Sequence, residues 1–341
     1  MIFRLALLMC SALPLLAADK WPSDVKEIGI RSTLDSADQP ALWWSPEDAK
    51  EARPLLVGLH TWSSDYRQTG SSTPYLQWCR QQGWHFIHPN FRGANRTPEA
   101  LGSDLAVQDV VDAVRWAKAN VKVDARRIYL IGVSGGGHMS LLMAARHPEI
   151  WAGVSAWCGI VDVARWHAEH STNGKSDRYA SEIEIALGGP PNNAKRRDDA
   201  RRRSPEMWLP AARSVPLDIA AGVHDGRKGS VPFRHSLDAF NAVVPVSARM
   251  AERALDSFYE TQQLPNGWAA PTADPLYGKR PPVFRKIHEN TRVTIFEGGH
   301  EIVHEAALNW LMQQEKGRPA AWNVKSPIRL RVDEKQTKSG L

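Results

Sequence analysis

The stretch Arg127-Ile-Tyr-Leu-Ile-Gly132-Val-Ser134-Gly-Gly136-Gly-His138 holds the residues of this chain best placed to do chemistry. An apolar run ends at Val133, and a helical pattern follows from Met139 to Arg146. Gly132-x-Ser134-x-Gly136 therefore falls on a strand-to-helix turn, the setting of a nucleophile elbow. There the sharp turn lifts the hydroxyl clear of the sheet, and small neighbours let the helix pack against the strand. The backbone N–H of the next residue, Gly135, faces the position where an oxyanion would develop.

An alcohol is a weak nucleophile at neutral pH and needs a base, which in turn needs an acid to orient it. At an elbow of this kind the acid and then the base follow the serine in the chain, each on a loop after a strand. Leu217 to Gly222 reads as one such strand, with Asp225 just beyond it, and Arg292 to Phe296 as another, with Gly298-Gly299-His300 beyond that. Asp225 is accordingly expected as the acid and His300 as the base. Asp162 is the main competing acid, and His224 and His304 are weaker candidates for the base because they lack the strand-turn placement.

His300-Glu301-Ile-Val-His304 also spells H-E-x-x-H, the pattern of a zinc peptidase. That chemistry needs both histidines on one helix face. The glycine pair puts His300 on a turn instead, no convincing third ligand follows, and the elbow would be left without a purpose. No metal site is expected.

Positioning these groups requires a largely parallel sheet covered by helices, and short apolar runs do alternate with longer amphipathic stretches. Strands are expected at Leu55–His60, His85–His88, Arg127–Val133, Gly153–Trp157, Leu217–Gly222 and Arg292–Phe296, after an initial hairpin formed by Val25–Leu34 and Ala41–Trp44. Helices are expected from the cap Ser103 onward, with Val107, Val110, Val111, Val114 and Ala117 at helical spacing, and from Ile302 to Gln313. The second oxyanion donor should come from the loop after the first parallel strand, which places the backbone N–H of Trp62 or Thr61 opposite Gly135 and makes the Trp62 ring a wall of the pocket.

The chain has 341 residues, 43% of them hydrophobic and 23% charged, which is globular composition and excludes a disordered, collagenous or disulfide-scaffold class. Residues 1–18 have the layout of a secretory signal peptide: Arg4, an apolar run and Ala17-Ala18. The reading is thus a secreted or periplasmic protein. Beyond the leader no run of about 18 apolar residues occurs, so stable membrane insertion is not expected. Export permits but does not require a bond between Cys79 and Cys158. The formal charge of +6 is uneven. Residues 195–203 carry six basic and two acidic groups, and residues 316–341 carry seven and two. The body is mildly acidic, and nucleic acid is not an expected partner. The organisation read from these patterns is one catalytic domain over 19–315 and a basic tail over 316–341.

Further motifs carry a family resemblance: Asn90-Phe-Arg-Gly93, Asp109-Val-Val-Asp112-Ala-Val-Arg-Trp116, Gly-Val-Ser134-Gly-Gly-Gly-His, and Arg146-His-Pro-Glu-Ile-Trp151. Farther on come Ser204-Pro205, Val215-Pro216, His224-Asp225 with Val231-Pro232, and Gly298-Gly-His300. Over roughly residues 50–315 the chain resembles the catalytic domain of prolyl-oligopeptidase-type α/β-hydrolases. The resemblance implies an α/β-hydrolase fold, a serine hydrolase without cofactor, and family roles for Ser134, Asp225 and His300. Two departures limit it. Gly135 stands where the peptidases usually have an aromatic residue, and the length before Arg53 leaves no room for their propeller domain. The same catalytic domain serves esterases of polysaccharide side chains, and the reading moves toward carboxylic esters, including acetyl or feruloyl esters of carbohydrates, with a peptidase as the second reading. The expected partner is a small-molecule or saccharide ester.

Two segments, about 163–213 and 247–290, read as insertions that build a pocket rather than the sheet. They supply Trp166, Trp208 and Trp268, which with Trp62, His138 and Trp157 are the expected pocket residues. Aromatic faces of this kind stack on sugar or aryl rings.

Overall fold

The computed structural model describes residues 20–47 and 50–331. The expected leader, 1–18, lies outside the described residues. The chain begins with β1 (Lys26–Arg31) and β2 (Asp38–Trp44), then β3 (Arg53–Leu59), α1 (Thr73–Gln82) and β4 (His85–Pro89). Next come α2 (Asp104–Asn120), β5 (Val123–Val133), α3 (Gly135–Arg146) and β6 (Gly153–Trp157). The first insertion folds as α4 (Val163–Glu169), a small hairpin of β7 (Ser171–Thr172) and β8 (Lys175–Ser176), α5 (Arg178–Leu187), α6 (Ala194–Arg203) and α7 (Pro205–Trp208). β9 (Leu217–Gly222), α8 (Arg234–Val243), α9 (Glu252–Thr261), β10 (Pro282–His288), β11 (Thr291–Phe296) and α10 (His304–Met312) complete the described elements.

The main sheet runs β1-β2-β4-β3-β5-β6-β9-β11-β10. Its centre, from β4 to β11, is parallel, and antiparallel strands close both edges. Leu55, Leu56, Val57 and Leu59 of β3 and Ile128 to Ile131 of β5 are all buried. Central parallel strands are covered on both faces, so they read as continuous apolar runs rather than alternating ones. α2 starts as its sequence requires, with the Ser103 hydroxyl accepting from Ala106 N at 3.1 Å and Val107, Val110, Val111 and Val114 facing the core.

The second insertion departs from expectation, because Pro282–His288 joins the sheet as its edge strand, antiparallel to β11. Arg285 and Lys286 interrupt the apolar alternation that would have revealed it. Trp268 of the same segment stacks on Phe284 with ring centroids 4.3 Å apart and so fastens the loop to that strand. The first insertion has its own small core, in which Trp166, Ile183, Leu187 and Ala200 pack with Trp62 and Val231 of the body. Residues 316–331, expected as a tail, lie along the body. Trp322 stacks on Trp310 at 5.4 Å, and Asn309 binds both the N–H and the carbonyl of Ile328 at 2.7 and 2.9 Å. Cys79 and Cys158 are both free and buried.

Candidate active site

Ser134 sits between β5 and α3 with φ 61° and ψ −121°, a conformation that non-glycine residues rarely hold. The turn is held from both sides: Ser134 N donates to Trp157 O at 2.8 Å, and His138 N donates to Ser134 O at 2.9 Å. A Cβ on Gly132 would lie 2.4 Å from the Gly136 backbone, so this close crossing of strand and helix admits only glycine at Gly132.

Asp225 follows β9 and is fully buried. Its Oδ1 accepts from Gly226 N at 3.0 Å and Val231 N at 3.2 Å, which fixes the carboxylate and leaves Oδ2 to meet His300 Nδ1 at 2.7 Å. His300 follows β11 and its side chain is 23% exposed. The two strands are parallel neighbours with Phe296 opposite Gly222, which brings their two following loops together. On its other side, His300 Nε2 lies 3.4 Å from the Ser230 hydroxyl. Ser134 and His300 line one cleft of about 520 Å³ together with Thr61, Trp62, Ser63, Arg178, Tyr179 and Ile302.

The oxyanion candidates separate once their hydrogen bonds are counted. Thr61 N donates to Gln68 Oε1 at 2.7 Å and is occupied. Trp62 N has no acceptor among the described residues, and a Cβ on Gly135 would lie 2.5 Å from it. The glycine after the serine is thus what allows the Trp62 backbone to approach the elbow so closely.

The competing assignments have other occupations. Asp162 caps α4, accepting from Ala164 N and Arg165 N at 2.9 and 3.0 Å. His224 Nε2 pairs with Glu297 at 2.7 Å. His304 opens α10 and its Nε2 is 2.8 Å from the Ser71 carbonyl; burial lowers its pKa to about 4, so it is neutral near neutral pH. His300, by contrast, stands in the preceding turn, so the two histidines of H-E-x-x-H do not share a helix face. Among the described residues the trio whose ligand atoms come within 4.8 Å of one another is Cys158, Asp225 and His300, and there His300 Nδ1 is already bonded to the Asp225 carboxylate.

Of the expected wall residues, Trp62 borders the cleft, and five others do not. Trp157 and His138 are fully buried behind the elbow, His138 with Nδ1 2.9 Å from the Ile160 carbonyl. Trp166 is fully buried, edge-on to Trp62 at 4.6 Å. Trp208 donates to Arg202 O at 2.8 Å beneath the Arg146 guanidinium, and Trp268 is spent on Phe284. Large apolar rings in an insertion anchor it before they can serve a ligand.

Sequence reasoning missed a circuit from the first insertion to the loop after β3. Trp62 Nε1 donates to Glu182 Oε2 at 2.6 Å, and Arg178 Nε donates to Glu182 Oε1 at 3.2 Å. The Arg178 Nη2 returns to Ser63 Oγ, next to Trp62. A second tie runs to the acid-base side: Trp166 Nε1 and His170 Nε2 lie 2.9 and 2.8 Å from the carbonyl of Ser230. No local pattern marks Glu182, since its indole partner is 120 residues away.

Comparison with known proteins agrees with this architecture. The model of the prolyl oligopeptidase family matches residues 71–249, just over half of the chain. Acetylxylan esterase A of Emericella nidulans is 25% identical over 165 residues, covering 44% of this chain and 52% of that protein. Feruloyl esterase B of Neurospora crassa is 30% identical over 116 residues, covering 31% of this chain and 39% of that protein. The chain thus matches about half the length of the first and less of the second. Among solved structures, a puromycin-hydrolyzing peptidase of Mycobacterium tuberculosis superposes on 86% of this chain and 39% of its own, with a TM-score of 0.57 at 14% identity. That likeness is one of fold.

Proposed function

Because the chain belongs to the prolyl oligopeptidase family, we propose that it is a secreted serine hydrolase that cleaves carboxylic esters through an acyl-enzyme. The observation that carries this reading is the 2.7 Å bond from His300 Nδ1 to a buried Asp225, with His300 lining the cleft that Ser134 enters from its strained turn.

In this reading Asp225 orients His300, whose Nε2 takes the Ser134 proton as the hydroxyl attacks the ester carbonyl. The N–H groups of Gly135 and Trp62 hold the oxyanion. His300 then returns the proton to the leaving alcohol, and water repeats the sequence on the acyl-enzyme. The similarity to an acetylxylan esterase and a feruloyl esterase supports acetyl or feruloyl esters of carbohydrates as substrates, and the leader-like residues 1–18 support export. Family membership supports the second reading, a peptidase.

A fluorophosphonate should label the chain at Ser134. A panel of p-nitrophenyl acetate, methyl ferulate, acetylated xylan and aminoacyl p-nitroanilides then separates the readings: turnover of the anilides alone would replace the esterase by the peptidase. Failure of labelling would remove both.

A further inference from the structure

We infer that Arg178 forms a subsite for a carboxylate carried by the substrate, an inference that rests on the hydrolase reading above and narrows its substrate class. Arg178 is the first residue of α5 and lines the same cleft as Ser134 and His300. Its side chain is 62% exposed. A guanidinium offers five N–H donors. One goes to Glu182 and one to Ser63, and the rest have no acceptor among the described residues.

Helix energetics do not account for a cation at this position. The first turn of a helix is its positive end, where a basic side chain is unfavourable, and an arginine four residues before a glutamate is the weaker orientation of such a pair. The turn is already satisfied by Asp177, which accepts from Tyr179 N and Ala180 N at 2.8 and 3.1 Å. Local rules are broken in this way where a site needs them broken. The guanidinium is also pre-set. Glu182, 9% exposed, holds it from behind, and it lies 5.5 Å over the Tyr179 ring. Little rotamer freedom remains to be lost on binding, and the planar fork suits a carboxylate.

The other charged group on the cleft is the Glu301 carboxylate, whose charge is offset by a partner of its own. Glu301 is ion-paired with Arg280 and accepts from Gly299 N at 3.2 Å. Burial acts in the opposite direction, but the Arg280 contact and the backbone donor prevail and hold the Glu301 carboxyl below its usual range. The cleft therefore presents a guanidinium with open donors, paired from behind with Glu182, beside a nucleophile candidate. Its ligand is an ester whose acyl or alcohol part bears a carboxylate, as in uronate-type sugars or aromatic dicarboxylic acids.

The test uses the full chain and its rate of fluorophosphonate labelling, with benzoate or its uncharged isostere benzamide as protectant. Benzoate should protect about tenfold more strongly than benzamide, the increment expected of one charge-assisted contact. This ratio should fall toward one in Arg178→Gln, remain partly in Arg178→Lys, and shrink with added salt. It cancels whatever each variant does to the shared machinery. The kcat/KM ratio of 4-acetoxybenzoate to phenyl acetate should move in parallel. Equal protection by the two compounds in the wild type, or an unchanged ratio in Arg178→Gln, overturns the subsite and leaves the hydrolase reading standing. Absence of labelling in the wild type overturns both.

Discussion

The indole Nε1 of Trp62 donates to the carboxylate of Glu182 at 2.6 Å, joining the loop after β3 to helix α5 of the insertion. Trp62 is also the residue whose backbone N–H, without an acceptor among the described residues, lies against Gly135. One residue thus carries the proposed oxyanion donor on its main chain and is held in place through its side chain. Glu182→Ala should leave the indole donor buried without a partner, at a cost of about 1–3 kcal/mol in stability. If the circuit positions the oxyanion loop, kcat should fall roughly tenfold while KM changes little, a drop of about 1.4 kcal/mol in transition-state binding. Glu182→Gln keeps an acceptor and should restore most of kcat. Equal kcat values in the wild type and both variants would show that the tie is structural only.

Ser134→Ala should abolish fluorophosphonate labelling and lower ester turnover roughly 10³-fold or more while the chain stays folded. Circular dichroism and the thermal midpoint separate lost chemistry from lost structure. Asp225→Asn should be nearly as severe, since His300 would lose the carboxylate that fixes its tautomer. Retained turnover in Ser134→Ala would overturn the acyl-enzyme scheme.

Gly135→Ala probes the close approach directly. The added Cβ meets Trp62 N at 2.5 Å and Asn95 Nδ2 at 2.9 Å, and backbone on one side cannot yield without moving the oxyanion loop. Loss of one such donor costs about 10²–10³ in kcat. Burst kinetics with p-nitrophenyl acetate should show slowed acylation rather than slowed deacylation alone.

Stability should fall with acid through buried histidines. Burial holds His88 at a pKa of about 3, and His138 and His304 at about 4, all below their ordinary value of 6.5. The unfolded chain therefore binds more protons than the folded one between about pH 4 and 6.5, so unfolding is favoured as pH drops. Their contribution is fully present above about pH 6.5 and is lost as pH falls toward the folded values. Urea unfolding across this range should show a falling midpoint, and His304→Asn should flatten part of the slope. A midpoint that rose on acidification would contradict this account.

The triad candidates were legible because their signals are local. A serine between glycines at a strand end, an aspartate after Leu217–Gly222 and a histidine after a glycine pair each announce a position at the same edge of a parallel sheet. The pocket walls were not legible. A tryptophan in an insertion reads the same whether it faces a ligand or, like Trp166, anchors the insertion in its own core. Arg178 and Glu182 lie on a short amphipathic helix, and only the tertiary fold sets them against Trp62 and Ser63. β10 was hidden for a different reason: as an edge strand it accommodates Lys286 and also Arg285, which bonds Thr294 and Asp274 at 3.0 Å, and the adjacent pair breaks the pattern.

The place of β11 has a bearing on how the molecule is assembled. This strand is inserted between β9, which precedes it by a long excursion, and β10, the hairpin partner just before it. The loop that follows it delivers His300 to Asp225. Such non-local parallel pairing is slow to form. On this ground His300 is expected to reach Asp225 only after the local turn at Ser134 has formed. Refolding monitored by fluorophosphonate labelling should lag behind the recovery of helical signal, and matching rates would show that the sheet closes all at once.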